Sequence, residues 1–154
     1  MINEYFINED TLIIVPDDNN STRIYDNDGI YNINTKTFNI INESCLYYGS
    51  SYGGRYIGSK KMLEMNYKLP IILDEVKEVI MIPSCSPNSD KCCWICLNNI
   101  ENYRKTNNKT TIYFTNGIEY EIDISYASIE NQILRATLLL TKLRKRKNTI
   151  KKIG

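Results

Sequence analysis

The 154-residue sequence predicts a single α+β domain over residues 1–154, β-rich in its N-terminal and central parts and closed by a long C-terminal helix. Three observations carry this. Before residue 48, short apolar runs are broken by Asn, Asp and Gly clusters, the punctuation of strands and turns. Behind Asn116-Gly117, Ile118, Tyr120, Ile122 and Ile124 alternate with Glu119, Glu121 and Asp123, giving one buried and one wet face. Tyr126, Ile129, Ile133, Ala136, Leu140 and Leu143 then step by threes and fours, which is one apolar stripe of a helix.

The elements follow in order. Leu12-Ile13-Ile14-Val15 reads as a strand ending at Pro16, followed by a polar turn through Asp17 to Ser21. Arg23-Ile24-Tyr25 leads into Asp26-Asn27-Asp28-Gly29, and Phe38-Asn39-Ile40-Ile41 reads as another short strand. Asp26 to Gly29 has the start of a calcium loop but lacks the later ligands and the Glu at the twelfth position, so a hairpin turn is expected. Residues 44–68 hold four of the seven glycines, Gly49, Gly53, Gly54 and Gly58, among tyrosines and Arg55, Lys60 and Lys61. Two readings fit this segment: backbone that approaches phosphate closely, or a bend that starts a helix with tyrosine rings in the core. A nucleotide P-loop fails on spacing, because Gly58 is followed by Ser59 and not by Lys.

Pro70 to Leu73 and Glu78 to Pro83 read as two strands joined by an acidic turn. A Ser/Pro/Asn-rich loop runs from Pro83 to Lys91, and Trp94 to Ile100 reads as a further strand. The hairpin at 111–124 follows, with Asn116-Gly117 expected as a type I′ turn. The last helix is expected from about Ser125 to Lys147, acidic near its start and basic near its end as its dipole favours.

The formal charge of +1 conceals a division along the chain. Residues 131–154 contain eight basic and no acidic side chains, leaving eleven basic against eighteen acidic before them. Within residues 1–30, seven acids face Arg23 alone. Such asymmetry fits a polyanion-facing end, or equally a solvated basic tail over residues 148–154. The wealth of Asn, Ile, Lys and Tyr matches an AT-rich codon bias and discounts arguments from their abundance.

The absence of His removes His-based triads, a His general base and His metal ligands, and nothing nominates an enzyme, a catalytic residue or a cofactor. No apolar run approaches the length of a membrane span, and the first residues do not resemble a signal peptide, so a cytoplasmic protein with no membrane partner is expected. Cys93-Trp94-Ile95-Cys96 is formally a C-x-x-C pair, but no second close pair follows, and alternation along a strand would part the thiols. Ordinary buried thiols are expected there, without zinc.

Two blocks carry a resemblance. The first is Ser44-Cys45-x-x-x-Gly49-Ser50-Ser51-Tyr52-x-Gly54-Arg55-x-x-Gly58, followed by Lys68-x-Pro70-Ile71. The second is Thr115-Asn116-Gly117, then Ile124-Ser125-Tyr126-x-Ser128-x-Glu130-Asn131-Gln132-x-x-Arg135, ending at Thr141-Lys142. With Pro83 and Trp94-Ile95 between them, the sequence resembles the competence transcription factors of the ComK family in register over residues 38–143. Cys93 and Cys96 lie outside that pattern.

The resemblance implies a transcription activator that binds paired AT-rich boxes, largely through the minor groove, as an oligomer. Narrow AT-tract grooves attract inserted Arg and Lys, which suits such a role. The partners implied are double-stranded AT-rich promoter DNA and further copies of the chain (a dimer or a pair of dimers), with RNA polymerase as another candidate. Arg55 and Arg135 match motif positions and have the charge for DNA contact. Ser50, Ser51, Asn131, Gln132 and Lys142 also match, as phosphate or base-edge partners; Asn131 and Gln132 fit the satisfaction of buried backbone equally well. Lys60, Lys61, Arg144, Lys145, Arg146 and Lys147 are nominated by charge alone. Longer family members carry a C-terminal segment that engages a Clp-protease adaptor, so adaptor control is doubtful for a sequence stopping at Gly154. The alternative is a degenerate relative acting as a protein-interaction module without activating transcription.

Overall fold

Residues 4–153 are described by a computed structural model. Three strands come first, β1 (Thr11–Asp17), β2 (Ser21–Asp26) and β3 (Gly29–Ile33). Two helices follow, α1 (Thr37–Tyr47) and α2 (Tyr52–Leu63). After them come β4 (Ile71–Asp74), β5 (Val79–Pro83) and β6 (Trp94–Cys96). A single 3₁₀ turn at Leu97–Asn99 passes the chain to β7 (Ile100–Thr106), β8 (Lys109–Phe114) and β9 (Glu119–Ile122), and α3 runs over Tyr126–Ile153. α3 thus continues past the expected end at Lys147 through most of the expected basic tail, whose last residue, Gly154, lies outside the described residues.

All pairings are antiparallel, in a six-stranded sheet ordered β3-β2-β1-β6-β5-β4 and a three-stranded sheet ordered β7-β8-β9. The larger sheet is buried on both faces. Ile14, Ile24, Ile71, Met81 and Trp94 pack with Ile40, Ile41 and Cys45 of α1 on one side. Leu12, Ile72, Ile80, Ile82 and Ile95 pack with Ile112, Phe114 and α3 on the other. Double burial is why β4 and β5 read as continuous apolar runs rather than as alternation.

Four further details differ from the sequence expectation. Phe38 to Ile41 is not a strand but the first turn of α1. Ile40, Ile41, Ser44 and Cys45 are buried together, a helical spacing that a four-residue window cannot separate from an apolar strand. β1 continues past Pro16, because β6 pairs only with Ile13 and Ile14 and leaves Pro16 beside one neighbour. The Trp94–Ile100 strand is broken at Asn99, whose amide donates to the Glu9 and Thr11 carbonyls, and each half joins a different sheet. Finally, the 111–124 hairpin is present but its turn is not type I′. Only Gly117 has positive φ (+91°), the Gly117 N–H donates to the Phe114 carbonyl, and Phe114 N–H donates to Ile118 across a three-residue loop. That is a type I turn closed by a glycine bulge.

Between α1 and α2, Ser44, Cys45, Gly49, Ser50 and Ser51 each have a structural role. Ser44 Oγ accepts from Ile7 N–H at 3.0 Å, and Cys45 is fully buried. Gly49 takes φ +89°, while Ser50 N–H donates to the Cys45 carbonyl and Gly49 N–H to that of Leu46, ending α1 in a Schellman motif. Ser51 then caps α2 by accepting from Gly54 N–H at 3.0 Å. The segment is therefore a tight helix-to-helix corner, and Gly53, Gly54 and Gly58 lie inside α2 with ordinary helical φ.

Candidate nucleic-acid interface

Ser125 starts α3 by accepting from Ser128 N–H at 3.2 Å. Its fully buried line is Ile129, Gln132, Ala136, Leu139 and Leu143, so Leu139 and the polar Gln132 join the stripe expected from sequence. Ile133 and Leu140 flank it. Met62 and Leu63 of α2 enter the same core, which seats α2 beside the C-terminal half of α3.

This seating brings together two basic segments, Lys61 and Lys142 being eighty-one residues apart in sequence. Lys61, Lys142, Lys145 and Arg146 line one groove between the helices, with Met62 at its floor and Glu64 as the single acid. Lys60 is exposed next to it. Among the described residues, Lys60, Lys61, Lys142, Lys145 and Arg146 form no ion pair with a carboxylate. Their charges face solvent and are available to a polyanion.

The other nominated side chains are placed differently. Arg55 is turned inward: NH1 donates to Glu75 Oε1 at 3.0 Å, NH2 lies 3.5 Å from the Leu73 carbonyl, and the side chain is only 16% exposed. Arg135 donates to the Tyr67 carbonyl at 2.7 Å. Gln132 is buried, and its amide donates to the carbonyls of Lys68 and Pro83, both at 2.9 Å. Both amide hydrogens are spent on these carbonyls, so Gln132 keeps no donor for a duplex. Of the two readings given for it, backbone satisfaction matches these bonds. Asn131 is exposed on α3, Ser51 is spent on the α2 cap, and Ser50 is half-buried at the corner.

Arg144 is also committed. Its Nε and NH2 donate to both oxygens of Glu78 at 2.9 and 3.0 Å, a bidentate pair, and Lys147 donates to the Glu75 carbonyl. The hydrogen bond from Arg144 holds the Glu78 carboxyl below its ordinary range. A carboxyl lowered in the folded state contributes stability above its unfolded pKa, near 4.3, and loses it as pH falls through the folded value. Thermal midpoints of the parent and Arg144→Gln should therefore differ at pH 7 and converge on acidification below about pH 4. A gap that persists at pH 3 would show that Arg144 acts by packing alone.

Sequence reasoning did not nominate two further basic features. Lys68 and the 76%-exposed Tyr67 lie on the loop after α2, held by Arg135, Gln132 and a bond from Tyr56 Oη to the Asn66 carbonyl. Lys68 stood in the first sequence block, which could have flagged it. Arg104, Lys105 and Lys109 are exposed on the β7–β8 hairpin, with Arg104 5.5 Å from the Tyr113 ring centre. Their signal was hidden in a segment read without structure.

The C-x-x-C thiols do not converge. Cys93 packs on one face of the large sheet, and Cys92 and Cys96 on the other. Burial pushes Cys45, Cys93 and Cys96 up to about 11 and Cys92 to about 12. Among the described residues, no three His, Cys, Asp or Glu side chains gather to hold a metal, and no helix is long and apolar enough to cross a membrane.

Comparison with known proteins decides the family. The family profile described as "ComK protein" matches residues 2–148. The chain belongs to the ComK family. It is also 30% identical over 149 residues to the competence transcription factor of Bacillus subtilis (strain 168), covering 94% of this chain and 78% of the relative. No solved structure matches. For this ComK-family chain, the match takes in α2, α3 as far as residue 148, and the groove between them.

Proposed function

We propose that this protein is a transcription activator that binds AT-rich duplex DNA mainly through the minor groove, with the α2–α3 groove as the seat for the phosphate backbone. The observation that carries the reading is the convergence of Lys61, Lys142, Lys145 and Arg146 on one groove without carboxylate partners. Phosphate contacts of this kind supply affinity and register, while sequence preference comes from groove width and inserted side chains. Asn131 and Lys68 lie exposed on the elements that flank the groove and are the candidates for reaching past the backbone. In this reading the protein acts as an oligomer on paired boxes. Leu134 and Leu138, 60% and 40% exposed and one turn apart on α3, give a second copy an apolar contact.

The test is titration of equal-length AT-rich and GC-rich duplexes at several salt concentrations. The AT-rich probe should bind more tightly, lose affinity linearly in log salt, and be displaced by a minor-groove ligand. Equal binding to both probes with a flat salt response would refute the reading. The other reading, an interaction module without activation, predicts no rise in transcription from an AT-box reporter.

A further inference from the structure

Two glycines of α2 lack an explanation inside the chain. Gly53, Gly54 and Gly58 fall within one twelve-residue helix, where glycine is a poor helix former. A Cβ at Gly54 would come within 2.8 Å of Ser50 Oγ, so the capping corner accounts for that position. At Gly58 a Cβ would meet nothing within 4 Å, and at Gly53 only Ser51 Oγ at 3.8 Å. Glycine codons are G-rich, so the AT-rich codon bias does not favour them either. The bare face therefore points outward, and it admits closer approach than a side chain would allow.

A second observation comes from a neighbouring part of the same interhelical groove, about 360 Å³ in volume. Gly54, Gly58 and Ser59 line its α2 side, Arg146 and Lys147 its α3 side, and Glu75 stands at its edge. Ser59 is 2% exposed and its Oγ has no hydrogen-bond partner. Arg55 Nε, which belongs to the same lining, also has none. Buried polar groups are normally paired, and these two are not.

Resting on the DNA reading above, we propose that the Gly53/Gly54/Gly58 face of α2 is a close-approach surface for the sugar-phosphate backbone. A phosphate oxygen there accepts from Ser59 Oγ and takes the place of Glu75 at the Arg55 guanidinium. The spacing Gly54-x-x-x-Gly58 would also suit a helix from a second copy. Charge favours the polyanion, because Lys60, Lys61 and Arg146 flank the face and two copies would set like charges together.

Gly58→Ala in the full chain tests this with two readouts of opposite sign. The thermal midpoint should rise by about 2–4 °C, since alanine is the better helix former and has open space here. Affinity for an AT-rich duplex should fall at least tenfold. Ser59→Ala should weaken binding by severalfold without lowering the midpoint, because the hydroxyl has no partner in the free protein. Undiminished affinity in Gly58→Ala alongside a raised midpoint would overturn the proposal. So would a fall in self-association of Gly58→Ala without DNA, measured by sedimentation, since the face would then belong to a second copy. If the unsubstituted chain binds no duplex, the DNA reading itself fails, a result distinct from both.

Discussion

Replacing Lys142, Lys145 and Arg146 together by Gln is expected to weaken binding to an AT-rich duplex by on the order of 10²-fold at 0.1 M salt. These side chains share the groove with Lys61 and have no carboxylate to hold them. Each phosphate neutralised contributes about 0.9 to the slope of log affinity against log salt, so the triple variant should flatten that slope by roughly 2–3. Its thermal midpoint should stay near the parent value, because no intramolecular ion pair is removed. Arg144→Gln is the internal comparison. Arg144 is already engaged by both oxygens of Glu78, and its loss should change the slope by less than one contact. A triple variant with an unchanged slope would move the backbone seat elsewhere, with the exposed cations of the β7–β8 hairpin next in line.

Gln132→Ala should cost about 2–4 kcal/mol of stability and lower the thermal midpoint by about 5–15 °C. Its amide bridges the Lys68 and Pro83 carbonyls from within the core, at 4% exposure. Removing it orphans two acceptors and opens a cavity beneath α3. Gln132→Leu should recover the volume but not the hydrogen bonds, and so remain well below the parent. DNA affinity should fall in both as well, because the bridge fixes the loop carrying Tyr67 and Lys68 beside Arg135. A midpoint unmoved by Gln132→Leu would return Gln132 to the DNA-facing set.

These two residue groups show how far local pattern reaches. The charge of the 142–147 cluster and its place on a helix are legible from spacing, and α3 forms there. Gln132 was legible only as a motif match, with binding and backbone satisfaction equally open, because a polar side chain in an apolar stripe has no local signature of its partners. Arg55 stood out by charge among glycines, yet Glu75, twenty residues on, turns it inward. The α1 misreading has a related cause. Ile40 and Ile41 carry no period alone, and only burial together with Ser44 and Cys45 makes the helix visible.

The sequence by itself determined the local elements with strong periodicity, the 111–124 hairpin, the last helix, the family blocks and the division of charge. These depend on residues within a turn or two of each other. Tertiary structure decided which cations remain available and where they meet. Lys61 lies eighty-one residues from Lys142, and Glu78 lies sixty-six before the Arg144 it neutralises. Ion pairs and grooves form between surfaces that packing brings together, so their partners follow the arrangement of the core and not the spacing along the chain.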